Sequence, residues 1–356
     1  MTLTERLPVD LQVALVIAAA VVVLAIPASG VVPQFYVGLL ISVMILALFA
    51  TSFNLLYGYT GLLTFGHAAY FGVAGYTLAL AIHGQLGLPE VFQSFFPALV
   101  LAVVVAGVFA AAFGYLCVQR GEIYFAMLTL AFNMMLYEVI FTWDDFTGGS
   151  DGVTLLIPPI HLGGFELNLL NTGAFYYLTF AFLVVSYLLL WRIVNSPYGE
   201  LLIAIRENPE RAEMVGVNVT RYQLSAFVIA GLFAGLAGSL FAVRTFIVTP
   251  DMLHWSMSSE PVLMTLLGGP GAFLGPTIGA FLFVMLEQFL STITQFWQFG
   301  LGVILVPLVL FAPGGVVSLL RDDEGDLRSG VDVRAYLTGL IGSGVEGETA
   351  ERDRHE

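Results

Sequence analysis

The chain has 356 residues, of which 58% are hydrophobic and only 11% charged, with a mean hydropathy of +0.90; a typical soluble domain is about 25% charged. Apolar runs long enough to span a bilayer recur along the whole length, which means a polytopic helical membrane protein, because lipid demands backbone satisfied within each segment. The runs do not alternate apolar and polar, which argues against a β-barrel, and the single cysteine, Cys117, rules out a disulfide within the chain and a thiolate metal site.

Net charge is −14, and all twelve basic residues are arginine. An acid excess without lysine suits a high-salt cytoplasm, where carboxylates keep a surface hydrated. Ten of the 26 acids fall after Arg321, so residues 321–356 read as an acidic, disordered cytoplasmic tail behind a membrane domain of residues 1–320.

In chain order, span 1 covers residues 11–28 and is read as retained, since no signal-peptide cleavage pattern follows it. Span 2 covers 36–57. Span 3 is the glycine-rich stretch 58–83, and span 4 covers 95–118. Span 5 (123–141) leads into a polar loop, 142–172, with Trp143, Asp144, Asp145 and Asp151. Span 6 covers 173–191. Residues 195–222, NSPYGELLIAIRENPERAEMVGVNVTRY, form a polar island, and span 7 (223–243) follows it. The short apolar stretch 261–268 extends only about 18 Å even when counted from Met257, against a hydrocarbon core of about 30 Å. A glycine-punctuated segment from Gly271 to about 290 and a last span, 296–319, complete the chain.

Arginine placement arbitrates the count. With ten crossings and the island inside, Arg244 alone falls outside; with nine, the arginines split evenly. The expectation is therefore ten spans, one of them short or broken, in the cell membrane with both termini cytoplasmic. Residues 142–172 are then extracytoplasmic, either a plain solvated loop or a gate or docking surface for a solute receptor.

Local chemistry divides the island into two short helices. Ser196 and Pro197 suit an N-cap and first helical position, Asn208 and Pro209 repeat the pattern, and Gly216 suits the residue after a helix end. Leu201, Leu202, Ile205, Met214 and Val215 are apolar on segments too short to span, so the bundle or a partner must cover them. The island is either an amphipathic connector or a pair of coupling helices docked on a cytoplasmic motor.

Other residues carry open alternatives. His67, with Thr64 and Tyr70 in the glycine-rich span, either lines a pathway or is a packing residue. Asn54, Thr129 and Asn133 are polar at membrane depth and Glu138 lies near the outer end of span 5; Thr129 and Asn133 share one helix face. They line a polar route or bond neighbouring helices. Gly231 and Gly235, and likewise Gly271, Gly275 and Gly279, form small-residue ridges for close helix packing. GGPGAFLG lacks the lysine of a phosphate-binding loop, no metal set is present, and no nucleophile–base constellation points to a membrane enzyme.

Four ordered blocks carry a resemblance. They are GYTGLLTFGHAAYFGVAGYT; YFAMLTLAFNMM with TGGSDGV; YGELLIAIRENPERAEMVGVNVTRYQLSAFVIAGLFAGLAGSLFA; and LLGGPGAFLGPTIGAF with FAPGG. Together they resemble permease subunits of branched-chain amino acid ABC importers, of the LivM type, over residues 36–319. The resemblance implies a transport subunit without cofactor of its own. Its partners would be two cytoplasmic ATPase subunits that bind ATP, a second homologous permease, an extracytoplasmic solute-binding protein and the lipid membrane, with no nucleic acid. Glu200, Arg206, Glu207, Asn208, Glu210, Glu213 and Gly216 would couple to the ATPase, AEMVGV being a degenerate version of the EAA-type loop. Urea and short amides are the alternative cargo. A stand-alone carrier or channel, resting on few ionisable residues (His67, Glu138, Glu287), is the reading from a different class.

Overall fold

The structure is a computed structural model and describes residues 33–119, 122–157, 160–162, 165–311 and 314–316. Span 1 and the acidic tail lie outside these residues. Among the described residues there are twelve helices and four strands of two or three residues each. Among the described residues six helices are long and apolar enough to cross a membrane by length and composition.

Helix α1 (Gln34–Thr60) is the axis of the bundle. Of its most apolar stretch 83% is buried inside the protein, and α9 (Val219–Thr245) follows at 67%. Packed against this pair are α2 (His67–Ile82), α3 (Phe95–Cys117) and α6 (Thr172–Val194), with α10 (Trp255–Gly268) and α11 (Gly275–Ile293) on α1. Helices α4 (Glu122–Thr142) and α6 are peripheral, at 22% buried each, and α12 (Trp297–Phe311) lies against α11.

Helix α3 shows how the sequence sorts its faces. Ala98, Ala102, Ala106 and Ala110, four residues apart, are fully buried, while Val100, Val104 and Val108 are exposed at 63%, 52% and 62%. Small residues thus meet α9 and branched ones face the lipid side, the arrangement expected where close backbone approach replaces the hydrophobic effect as the packing force. The partner surface is the glycine ridge of α9: a Cβ on Gly235 would stand 2.6 Å from that of Ala106, and one on Gly231 would overlap Ala110. The ridge packs within the chain.

Two of the expected spans are broken. Span 3 is not one helix over 58–83: residues 58–60 end α1, residues 61–66 are non-helical, and α2 begins at His67, leaving 16 residues, about 24 Å. Gly61 at φ +76 stops α1. The stretch 261–268 belongs to a 14-residue helix, α10, entered through a strand (β4, Ile247–Val248) and a 3-10 turn (Pro250–Leu253). That turn is buried against α2, where Gly72 makes room for Leu253. Gly271 is a correction: at φ +84 it sits in the 269–274 turn, not on a helix. The ridge joining α10 to α11 is Gly268, Gly275 and Gly279, where a Cβ on Gly268 or Gly279 would strike the facing helix's backbone and one on Gly275 the carbonyl of Gly269 just past the end of α10.

The loops sort to opposite ends. In 142–172, a short helix (α5, Asp144–Thr147) precedes β1 (Val153–Thr154), which pairs antiparallel with β4, Val153 opposite Val248. A small hairpin follows, β2 (Ile160–Leu162) with β3 (Phe165–Leu167). The island, the end of α1 and the 269–274 turn gather at the other end.

Candidate functional site

The island folds into the two short helices that its turn chemistry predicts, though only one of the two expected side-chain caps forms. Helix α7 (Pro197–Glu207) and helix α8 (Pro209–Met214) meet at Asn208, whose Oδ1 accepts from Arg211 N at 2.8 Å, capping α8. Gly216 follows α8 at φ +90, a left-handed position that costs glycine nothing. Ser196 stands at the N-cap position of α7, but its hydroxyl makes no cap; it donates back to Ile193 O at 2.6 Å, closing the end of α6 instead.

Leu202 is fully buried in the main core, and Ile205, Ala212 and Val219 form a small core of the island's own. Tyr198 OH is bonded to Ser225 Oγ at 2.7 Å, and burial pushes this phenol above its ordinary pKa, so it stays neutral. Glu200, Glu207, Glu210 and Glu213 are all exposed. Met214 and Val215, for which the sequence demands cover, are exposed at 79% and 77%. Beside them lies an open recess of about 530 Å³ lined by Val215–Asn218, Arg221, Tyr222 and Ser225.

Arg206 points the other way, into the bundle. Its Nη1 donates to Gly58 O at 2.5 Å. Gly58 belongs to the last turn of α1, whose final carbonyls have no partner within the helix. Arg206 therefore supplies both a donor and a positive charge to a helix C-terminus. Glycines keep the site open: a Cβ on Gly61 would stand 3.2 Å from Arg206 Cγ, and one on Gly271 3.4 Å from Nη1. Asn54, one turn back on α1, holds the 269–274 turn, donating to Ala272 O (3.2 Å) and accepting from Gly271 N (3.3 Å). Island, α1 and the α10–α11 turn are thus joined at one junction, with Asn54 part of it.

The other pathway candidates divide. Thr64, His67, Tyr70 and Thr129 gather around the break before α2, and Asn133 reaches the turn before α10. Thr129 Oγ1 accepts from Phe65 N (3.3 Å), Thr64 Oγ1 accepts from Gly66 N (3.1 Å), and a Cβ on Gly66 would come within 2.6 Å of Thr129 O. His67 is fully buried, stacked on Phe49 at 5.1 Å, with Nε2 bonded to Ser52 Oγ at 2.9 Å and its ring edge-on to Tyr70. Asn133 donates to Leu253 O at 2.8 Å, tying α4 to the second broken span. His67 Nδ1 and Asn133 Oδ1 have no partner among the described residues. Glu138 is exposed and apart from these.

Sequence reasoning missed a second feature. A cavity of about 410 Å³ opens between α1, α6, α9, α10 and α11, lined on α9, α10 and α11 by Arg244, Glu260 and Glu287. None of the seven pathway candidates lines it. The available signal was Glu287, a lone charge inside an apolar segment, with Arg244 and Glu260 each one residue beyond the end of another.

A profile of the family described as branched-chain amino acid transport system, permease component, matches residues 35–312. The chain is 27% identical over 327 residues to the high-affinity branched-chain amino acid transport system permease protein LivM of Escherichia coli K12, covering 85% of this chain and 74% of that protein. It is 23% identical to the permease BraD of Pseudomonas aeruginosa, covering 76% and 91%. It is also 25% identical to the galactose/methyl galactoside import permease MglC of Haemophilus influenzae, covering 59% and 65%. No solved structure matches the chain.

Proposed function

Since the chain belongs to the permease components of branched-chain amino acid transport systems, we propose that this multi-pass membrane protein is the translocating subunit of an ATP-driven importer for branched-chain or similar amino acids. The observation that carries the coupling part of this reading is the two-sided island. One side is anchored through Leu202 and Arg206 to the bundle; the other presents Met214, Val215 and four carboxylates to solvent. An apolar pair left bare beside a recess is what a protein partner would cover.

In this mechanism ATP chemistry belongs to two cytoplasmic partner subunits, and this chain holds no cofactor. Nucleotide-driven closure of the ATPases moves α7 and α8. Arg206 and Asn54 pass the movement to the end of α1 and to the α10–α11 turn. A solute-binding protein delivers cargo to the opposite end, against the β1–β4 ribbon and the 142–172 loop, and a second homologous permease completes the pathway. Transport is driven only if the outward and inward states differ in solute affinity. The island then lies in the cytoplasm, as do both termini, with residues 1–320 forming the membrane domain.

The test is uptake of radiolabelled leucine into vesicles holding the assembled complex, ATP inside and receptor outside, with galactose and urea as competing cargo. Leucine uptake that needs ATP and the ATPase is the expected result. Uptake driven by an ion gradient without the ATPase would sink the importer reading, and ATP-dependent uptake of galactose or urea alone would correct the cargo.

A further inference from the structure

The cavity that carries Arg244, Glu260 and Glu287 lies at the outer end of the bundle. Its wall on α1 runs from Gln34 to Leu46, a rise of about 18 Å along a helix about 40 Å long. It therefore reaches from the end shared with the β1–β4 ribbon towards mid-depth. Its volume of about 410 Å³ falls in the range of small-molecule sites, about 300–1,000 Å³.

Charge at this depth needs a reason. An arginine or glutamate facing hydrocarbon is costly, so such residues face water, one another or a ligand. Here a guanidinium and two carboxyl groups, carried by three different helices, line one cavity. Two carboxylates facing one cavity repel each other unless one of them takes up a proton or a cation comes between them. Arg244 does not take that role: among the described residues its bond is to a backbone carbonyl, Nε to Gly38 O at 3.3 Å, and not to either carboxylate. Gly38 makes this possible, since a Cβ there would stand 2.7 Å from Nη2. The guanidinium is thus laid against α1 with its planar fork held at the cavity wall. Phe241, Met257 and Val284 supply apolar lining beside the charges.

We propose that this cavity is the outward-facing binding site for a free α-amino acid, with Arg244 receiving its carboxylate, Glu260 and Glu287 its ammonium, and Phe241, Met257 and Val284 its aliphatic side chain. The inference rests on the importer reading above and adds the site to it. A zwitterion answers the charge pattern as no single ion does. An arginine fork matches a carboxylate bidentately, an ammonium relieves the paired glutamates, and the cavity's net charge is unchanged by the ligand. A sugar or urea would leave all three charges unanswered.

The test uses the assembled complex in proteoliposomes. In a Cys117→Ala background, Ser42→Cys places one thiol on the cavity wall. Saturating leucine should slow its modification by an impermeant methanethiosulfonate added outside, whereas leucinamide, without the carboxylate, and 4-methylpentanoate, without the amine, should not. Removing one charge-assisted hydrogen bond to the ligand is expected to weaken leucine protection and uptake about tenfold or more. Arg244→Gln and Glu260→Gln should therefore lose both, with Arg244→Lys retaining part. Thermal unfolding of each variant separates loss of binding from loss of fold, and the Ser42→Cys protection assay, which leaves the charges in place, remains decisive if a charge variant does not assemble. Equal protection by leucine and leucinamide, wild-type protection in both charge variants, or a thiol that never reacts would overturn the proposal while ATP-driven leucine uptake still upheld the importer reading. ATP-driven uptake of a different solute with none of leucine would overturn both.

Discussion

Arg206→Ala is the sharpest test of how the island is tied to the bundle. The substitution removes the bond to Gly58 O and withdraws a cation from the C-terminal end of α1. A hydrogen bond from a charged group contributes about 1.5–3 kcal/mol, and a cation at a helix C-terminus about 0.3–1 kcal/mol. Much of the Arg206 side chain is exposed, so the lower end of each range applies, about 2 kcal/mol in all, or roughly a thirtyfold weaker preference for the docked arrangement of α7. The assay is leucine taken up per ATP hydrolysed by the reconstituted complex. The ratio should fall about fivefold or more, the scale of a coupling free energy between two sites. Arg206→Lys keeps the charge but not the fork and should fall between. Arg206→Glu should be worst, since it places a carboxylate at the negative end of α1. Wild-type stoichiometry in Arg206→Ala, at normal assembly, would refute the link.

Two further outcomes follow from packing and exposure. Gly238→Val, whose added carbons would press on the Phe71 backbone, should lower the unfolding temperature of the detergent-solubilised chain, overpacking costing about 1–3 kcal/mol; an unchanged melting curve would mean that α2 and α9 can separate freely. Met214→Asp with Val215→Asp, at two positions already exposed, should leave that melting curve in place yet reduce co-purification of the ATPase; undiminished co-purification would remove this pair from the docking face.

What was legible in the sequence was what local physics dictates. Asn208-Pro209 specifies a cap and a helix start whatever surrounds it, and Gly216 specifies a left-handed turn, so both were readable. Hydropathy likewise located the long helices. It did not locate the break at residues 61–66, because Leu62, Leu63 and Phe65 are as apolar as the helices on either side; the interruption is made by tertiary bonding to Thr129 and by Gly61. The family resemblance named Arg206 as a coupling residue but could not say that it turns inward, and Asn54 read as a pathway residue although it holds a backbone turn. The cavity was invisible for a related reason. Arg244, Glu260 and Glu287 sit on three helices, and only their packing on α1 makes them one wall.

That geometry gives the bundle a continuous mechanical route. Helix α10 ends at the turn that Asn54 holds, and its outer half carries Glu260; α11 leaves the same turn and carries Glu287. Movement of α7 reaches the turn through Arg206 and α1, and the turn's two helices form the charged wall of the cavity. Asn54→Ala breaks this route at its middle. It deletes two neutral hydrogen bonds, each contributing about 1 kcal/mol, from a side chain that is 1% exposed. Uptake per ATP should fall while leucine still protects the Ser42→Cys thiol, because the binding charges are untouched. Combined with Arg206→Ala, the decrease should be less than the sum of the two single decreases, since each variant severs the same connection. Residues acting independently add to within about 0.5 kcal/mol. Additive decreases would therefore show that the island and the α10–α11 turn move separately, and that the cavity is not driven from the coupling helices by this path.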